Sequence, residues 1–219
     1  MSAIAKLLEL SSPSISAVPF CLERVPEHFC SAAKKLLPIL GSKNGFYAFA
    51  SALHAYGTDT VEEVDLLAWN ADNGWRKEFG AIADRYFFFA EDAFGGQFCT
   101  DSQCFYHFDI ETGDTRSMGT DAESWSATLL SDFGYWTGHG AALKWQQHNE
   151  ELKPGMRLFP RRPFVLGGDY EPENLWAGNA RDALGFFGFV ARHINALPDG
   201  TDVELMMPTG VTLAGTIQR

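Results

Sequence analysis

The chain is short of basic residues, of cysteine and of long apolar runs, and each shortage removes a class of function. Lys and Arg number 17 against 28 Asp and Glu, a formal net charge of −11. Direct binding of nucleic acid, which relies on clustered cations over phosphates, is therefore disfavoured. Basic doublets such as Lys34-Lys35 and Arg161-Arg162 do not extend into patches. No apolar stretch approaches the ~20 residues of a membrane helix, and the opening MSAIAKLLELSSPSIS lacks the apolar run of an export signal. A cytoplasmic protein with no membrane partner is expected. In that reducing compartment Cys21, Cys30, Cys99 and Cys104 are expected as thiols. The alternative for Cys99 and Cys104 is a redox pair or half a zinc site across a hairpin; His107 lies nearby, but no second Cys or His pair stands at ligand spacing.

Signatures of catalysis are equally sparse. There is no G-x-S-x-G, no cysteine in a nucleophile context, and the doublets Gly95-Gly96 and Gly167-Gly168 lie outside any phosphate-cradling pattern. No cofactor is implied.

What remains is core-forming material: 219 residues, 46% hydrophobic and 14% aromatic, enough for one well-filled domain. Helical spacing covers 2–10 and 27–40, and FYAFASALHAYG places Phe46, Phe49, Leu53 and Tyr56 on one helical face, although its aromatics permit a strand at its start. A short helix within Trp69–Phe79 would carry Trp75 and Phe79 inward. Strand spacing then takes over, in short runs at Tyr86–Ala90, Gln97–Thr100, Cys104–Asp109 and Thr115–Met118. Thr120 and Glu123 read as a capping box opening a helix with Trp125, Leu129 and Phe133 on one face. A second helix is expected at Ala141–Glu150, strands at Phe164–Leu166, Asn174–Ala177 and Asp202–Met207, and a long helix at Ala180–Leu197. Pro208–Arg219 is expected as an ordered edge or a loose tail. The order of elements predicts an α+β fold: a mostly antiparallel central sheet with helices packed around it, one domain over 1–219, with an N-terminal helical segment 1–56 and a C-terminal extension 154–219.

Two carboxylate pairs invite chemistry. In YHFDIETGD, Asp109 and Glu111 have the D-x-E spacing of a two-metal nuclease strand. The downstream ligands that such enzymes add are missing: the one H-x4-D, His54 with Asp59, lies upstream, and no Y-x3-D occurs. The competing reading is a hairpin whose turn uses Asp109 and Gly113 and whose second strand begins at Thr115. Glu91 and Asp92 are adjacent, so on a strand they point to opposite faces, and Asp92 suits a bond to the turn before Gly95-Gly96. The acidic candidates for a partner-facing surface are Asp59, Glu62, Glu63 and Asp65, then Glu91 and Asp92, then Asp169, Glu171 and Glu173. The simple alternative for such clusters is a solvated face.

The stretch YFFFAEDAFGGQFCTDSQCFYHFDIETGDTRSMGTDAESWSATLL resembles the central part of the SUKH superfamily, the cell-wall assembly regulator-like proteins. The matching residues are Phe88, Phe89, Ala90, Asp92, Gly95, Gly96, Phe108, Asp109, Glu111, Thr112, Gly113 and Trp125; the N-terminal L-P phrase of that family is only hinted at by Val25-Pro26-Glu27-His28-Phe29 and Asn44-Gly45. The resemblance implies a non-enzymatic immunity protein that neutralises a contact-dependent or type VI toxin, often a nuclease, with no catalytic or metal residue carried over. Its expected partner is a cognate toxin with a basic cleft. The rivals are a regulatory adaptor of the same fold and a metal-dependent hydrolase using Asp109 and Glu111.

Overall fold

The apolar residues of the central third build an antiparallel meander. In the computed structural model, which describes residues 1–60, 64–206 and 212–219, the chain opens with α1 (Ala3–Leu10), α2 (Cys30–Lys34) and α3 (Leu37–Leu40), then strands β1 (Phe46–Ala48) and β2 (Leu53–Ala55). Short helices α4 (Leu66–Trp69) and α5 (Arg76–Phe79) lead into β3 (Phe87–Glu91), β4 (Gln97–Thr100), β5 (Phe105–Phe108) and β6 (Thr115–Gly119). Strands β1 to β6 form one sheet in sequence order, every neighbouring pair antiparallel. The α+β fold expected from the order of elements is the one observed.

Helices α6 (Ala122–Ser131), α7 (Phe133–Thr137) and α8 (His139–Gln146) follow. The C-terminal part adds the ribbon β7 (Met156–Pro160) with β8 (Leu175–Asn179), the long helix α9 (Ala180–Ile194), and the ribbon β9 (Asp202–Met206) with β10 (Thr212–Thr216). Strand β3 is buried along its whole length because helices cover both faces of the sheet. On one face Trp75, Phe88 and Phe108 meet edge to face; on the other Trp125 packs on Phe89, Phe98 and Phe105. Phe159, Leu184, Phe187 and Ala191 join the same core, so the C-terminal extension is integral to it. Among the described residues no helix is long and apolar enough to cross a membrane.

Several local expectations change. The helix expected across FYAFASALHAYG is the hairpin β1–β2, with Phe46 opposite Ala55 and Ala48 opposite Leu53. Its turn holds Phe49, Ala50 and Ser51 at φ of 55°, 51° and 66°, a left-handed run unfavourable for non-glycine residues. Contacts from distant chain offset that strain: His139 Nδ1 lies 2.8 Å from the Phe49 carbonyl, and Phe49 stacks on Phe133. The cap of α6 is Asp121 with Ser124, one residue beyond the expected Thr120 and Glu123. Glu123 instead caps α1 from afar, accepting from the Ala3 and Ile4 amides at 2.6 and 3.2 Å. Phe164–Leu166 is a 3₁₀ turn rather than a strand, bounded by Pro163 and a left-handed Gly167. The second helix begins at His139, because left-handed Gly138 separates it from α7. Strand β7 was not foreseen. Thr212–Thr216 forms an ordered strand, whereas Met207 and the start of the expected tail lie outside the described residues.

Glu91, expected on the surface, is completely buried. Its Oε1 lies 2.9 Å from Arg157 Nε and 3.1 Å from His54 Nδ1, and all three side chains are out of solvent. Burial alone raises a carboxyl's pKa, yet the attraction of Arg157 and the bond to His54 outweigh it and hold Glu91 below its ordinary value. Glu91→Gln is expected to cost about 3–5 kcal/mol by leaving the Arg157 cation buried and unpaired. Glu91→Gln with Arg157→Met should recover at least half of that loss. Urea unfolding of the three proteins measures both values, and equal stability of wild type and Glu91→Gln would contradict the role assigned to the pair.

Candidate functional site

A cleft of about 890 Å³ opens where the β5–β6 corner, the β3–β4 turn, the α7–α8 corner and the 163–170 loop converge. The β3–β4 turn is built by Asp92. Its Oδ1 accepts from the Phe94 amide at 2.7 Å and the Gly96 amide at 2.9 Å, an arrangement that closes the turn over left-handed Gly95. Its Oδ2 lies 2.8 Å from His107 Nε2 on β5. The tight packing explains Gly96: a Cβ there would collide with Asp92 Oδ2 and stand 2.8 Å from His107 Nε2. The backbone role expected for Asp92 is thus observed, and the hydrogen bond with His107 is additional. The contact with Asp92 fixes the orientation of the His107 ring at the cleft wall.

YHFDIETGD forms the hairpin corner. The Asp109 amide donates to the Asp114 carbonyl and the Gly113 amide to the Asp109 carbonyl, at 2.9 and 2.8 Å. Asp109 Oδ1 accepts from the Glu111 and Thr112 amides at 2.7 and 3.2 Å, and β6 starts at Thr115. Glu111 reaches across the cleft base, accepting from the Phe164 amide at 3.1 Å and the Val165 amide at 2.7 Å. It therefore clips the 163–170 loop to the sheet. Burial, followed by the charge of Asp109, pushes the Glu111 carboxyl up to about 8 despite those two bonds. Asp109 touches the solvent of the cleft, yet the surrounding protein desolvates its carboxyl enough to raise it as well. Both oxygens of Glu111 and one of Asp109 are committed to backbone amides, which competes with ligation of a cation. Among the described residues no group of three or more His, Cys, Asp or Glu is placed to hold a metal.

Aromatic rings form the walls. Phe164 and Tyr170 stack at 4.1 Å and 17°, with Phe94 against both at 5.3 Å. Opposite them Tyr135 meets Trp136 edge to face, and Arg116 bonds to the Tyr135 hydroxyl. Asp114 pairs with Arg219 at 3.2 Å on the lip. Burial first, then the charges of Glu111, Asp109 and Asp92, push the Tyr170 hydroxyl up to about 12.

The acidic residues read from sequence do not form one surface. Asp92 lines the cleft, and Asp169, Glu171 and Glu173 are exposed on the segment around Tyr170, with Glu171 paired to Lys144. Asp65 caps α4, accepting from the Leu67 and Ala68 amides at 3.0 and 2.9 Å, while exposed Asp59 pairs with Arg24; neither lines the cleft. Glu62 and Glu63 lie outside the described residues, and Glu91 is withdrawn as a surface residue. Sequence reasoning missed Tyr135, Trp136 and Tyr170 and weighed His107 only beside the cysteines; the one local signal, for Tyr135 and Trp136, is the glycine-flanked aromatic run GYWTG, too short to bury its own rings.

A Glu111 carboxyl that keeps its proton up to about pH 8 instead of its ordinary 4.5 makes the native state bind more protons than the unfolded chain through that window. Stability should therefore fall as pH rises from about 5 to 8, by up to ~1.4 kcal/mol per pH unit from this group. Urea unfolding at pH 5, 6, 7 and 8 should show that slope reduced in Glu111→Gln, and parallel curves would refute the assignment. Gly96→Ala should cost about 1–3 kcal/mol through overpacking of Asp92 and His107, read from the same experiment at pH 7.

No protein-family model matches the chain, and no curated protein matches it. Among solved structures, the crystal structure of Atu4351 from Agrobacterium tumefaciens superposes with a TM-score of 0.50 at 13% identity, covering 95% of this chain and 96% of that one. At that identity the likeness is one of fold.

Proposed function

We propose that this chain is a cytoplasmic immunity protein that binds a secreted polymorphic toxin, delivered by contact or type VI secretion, and neutralises it by occluding its active site. The observation that carries this reading is the cleft. It is large, open and walled by aromatic rings, and three of its carboxylates, Asp92, Asp109 and Glu111, spend oxygens on backbone amides. Tyr135 and Tyr170 stand 59% and 54% exposed at its sides, as anchor residues of interfaces do. A net charge of −11 favours fast encounter with a basic surface, and the surface around a toxin's nucleic-acid cleft has that character. The resemblance of residues 86–130 to the SUKH superfamily points the same way.

Co-expression with the product of the adjoining gene should yield a complex that survives size exclusion and should restore growth to cells that the product alone poisons. The association rate is expected to fall about tenfold between 50 and 500 mM salt. A complex without growth rescue would mark a regulatory adaptor, and the lack of both complex and rescue would defeat the proposal.

A further inference from the structure

On the reading of this chain as a toxin-binding protein, we infer that the cleft between the 163–170 loop and the α7–α8 corner is the contact surface, and that it receives an arginine-bearing loop of the toxin. The cleft volume of about 890 Å³ accommodates several side chains rather than one water-sized guest. Its walls offer ring faces suited to a planar guanidinium, the Phe164–Tyr170 stack on one side and Tyr135 with Trp136 on the other.

Its charge supplies the complement. Asp109 Oδ1 is held by two amides, while Oδ2 makes no hydrogen bond and no ion pair among the described residues, on a residue exposed to the cleft. The exposed carboxylates of Asp169 and Glu173 extend the negative field beyond Tyr170. The two arginines present are already engaged, Arg219 by Asp114 and the Ile194 carbonyl, Arg116 by the Tyr135 hydroxyl. A guanidinium entering the cleft thus finds an unpartnered carboxylate oxygen and the exposed rings of Tyr135 and Tyr170 among its lining. An anionic or nucleic-acid guest meets the same oxygen as repulsion, and a wholly apolar one leaves it desolvated without a partner.

The test is calorimetric titration of the catalytically inactivated toxin, the product of the adjoining gene, into wild type, Asp109→Asn, Tyr170→Ala and Asp59→Asn. Asn at 109 keeps the oxygen that closes the turn and removes the charge. Asp59 is an exposed carboxylate away from the cleft. Urea midpoints confirm that each variant is folded. Asp109→Asn and Tyr170→Ala should each weaken binding at least tenfold and Asp59→Asn less than twofold. If wild type binds and the two cleft variants bind within twofold of it, the cleft is not the contact surface while the immunity reading stands. If wild type does not bind, both fall.

Discussion

The buried Glu91 carboxylate is the constraint on which the rest of the molecule depends. An ionised group at the centre of an apolar sheet is tolerable only with a cation against it, and that cation, Arg157, comes from β7 on the far side of three helices. Docking of the C-terminal half is therefore a condition of burying β3. The Leu158 amide then donates to the Ala93 carbonyl at 2.8 Å, and Phe159 settles over Gly95. Arg157 also reaches the Ser51 carbonyl, so one ion pair joins the strained turn of the first hairpin, the central strand and the C-terminal ribbon.

The cleft is a by-product of that docking. Its two halves come from segments more than fifty residues apart, and Glu111 clips them together through the amides that open the 3₁₀ turn at Phe164. Carboxylates that in isolation suggest catalysis are used here to satisfy backbone donors: Asp92 at one turn, Asp109 at the next, Glu111 between elements. This use of side chains leaves the aromatic walls, the His107–Asp92 pair and one oxygen of Asp109 facing the cleft.

Much of this was legible from local pattern. The meander from Tyr86 to Met118 follows from short apolar runs between turn residues, and the fate of YHFDIETGD as a corner follows from Asp109 and Gly113. Long helix α9 declares itself by the spacing of Leu184, Phe187 and Ala191. The errors share one cause. Phe46, Phe49, Leu53 and Tyr56 have helical spacing, but pairing with β3 and clamping by His139 outweigh it. The acid at 123 looks like a local cap and serves a helix 120 residues away. Glu91 looks like surface charge because its partner stands 66 positions later.

The sequence by itself determined the fold class, the acidity and the hairpin at Asp109, because those rest on hydrophobic period, composition and turn chemistry within a few residues. Only the tertiary structure decided which carboxylates are buried, which aromatic rings are left at a surface, and that a cleft exists between them. Those outcomes depend on pairings such as Glu91 with Arg157 and Glu111 with the Phe164 and Val165 amides, whose energies arise from desolvation at distances in space that spacing along the chain does not encode.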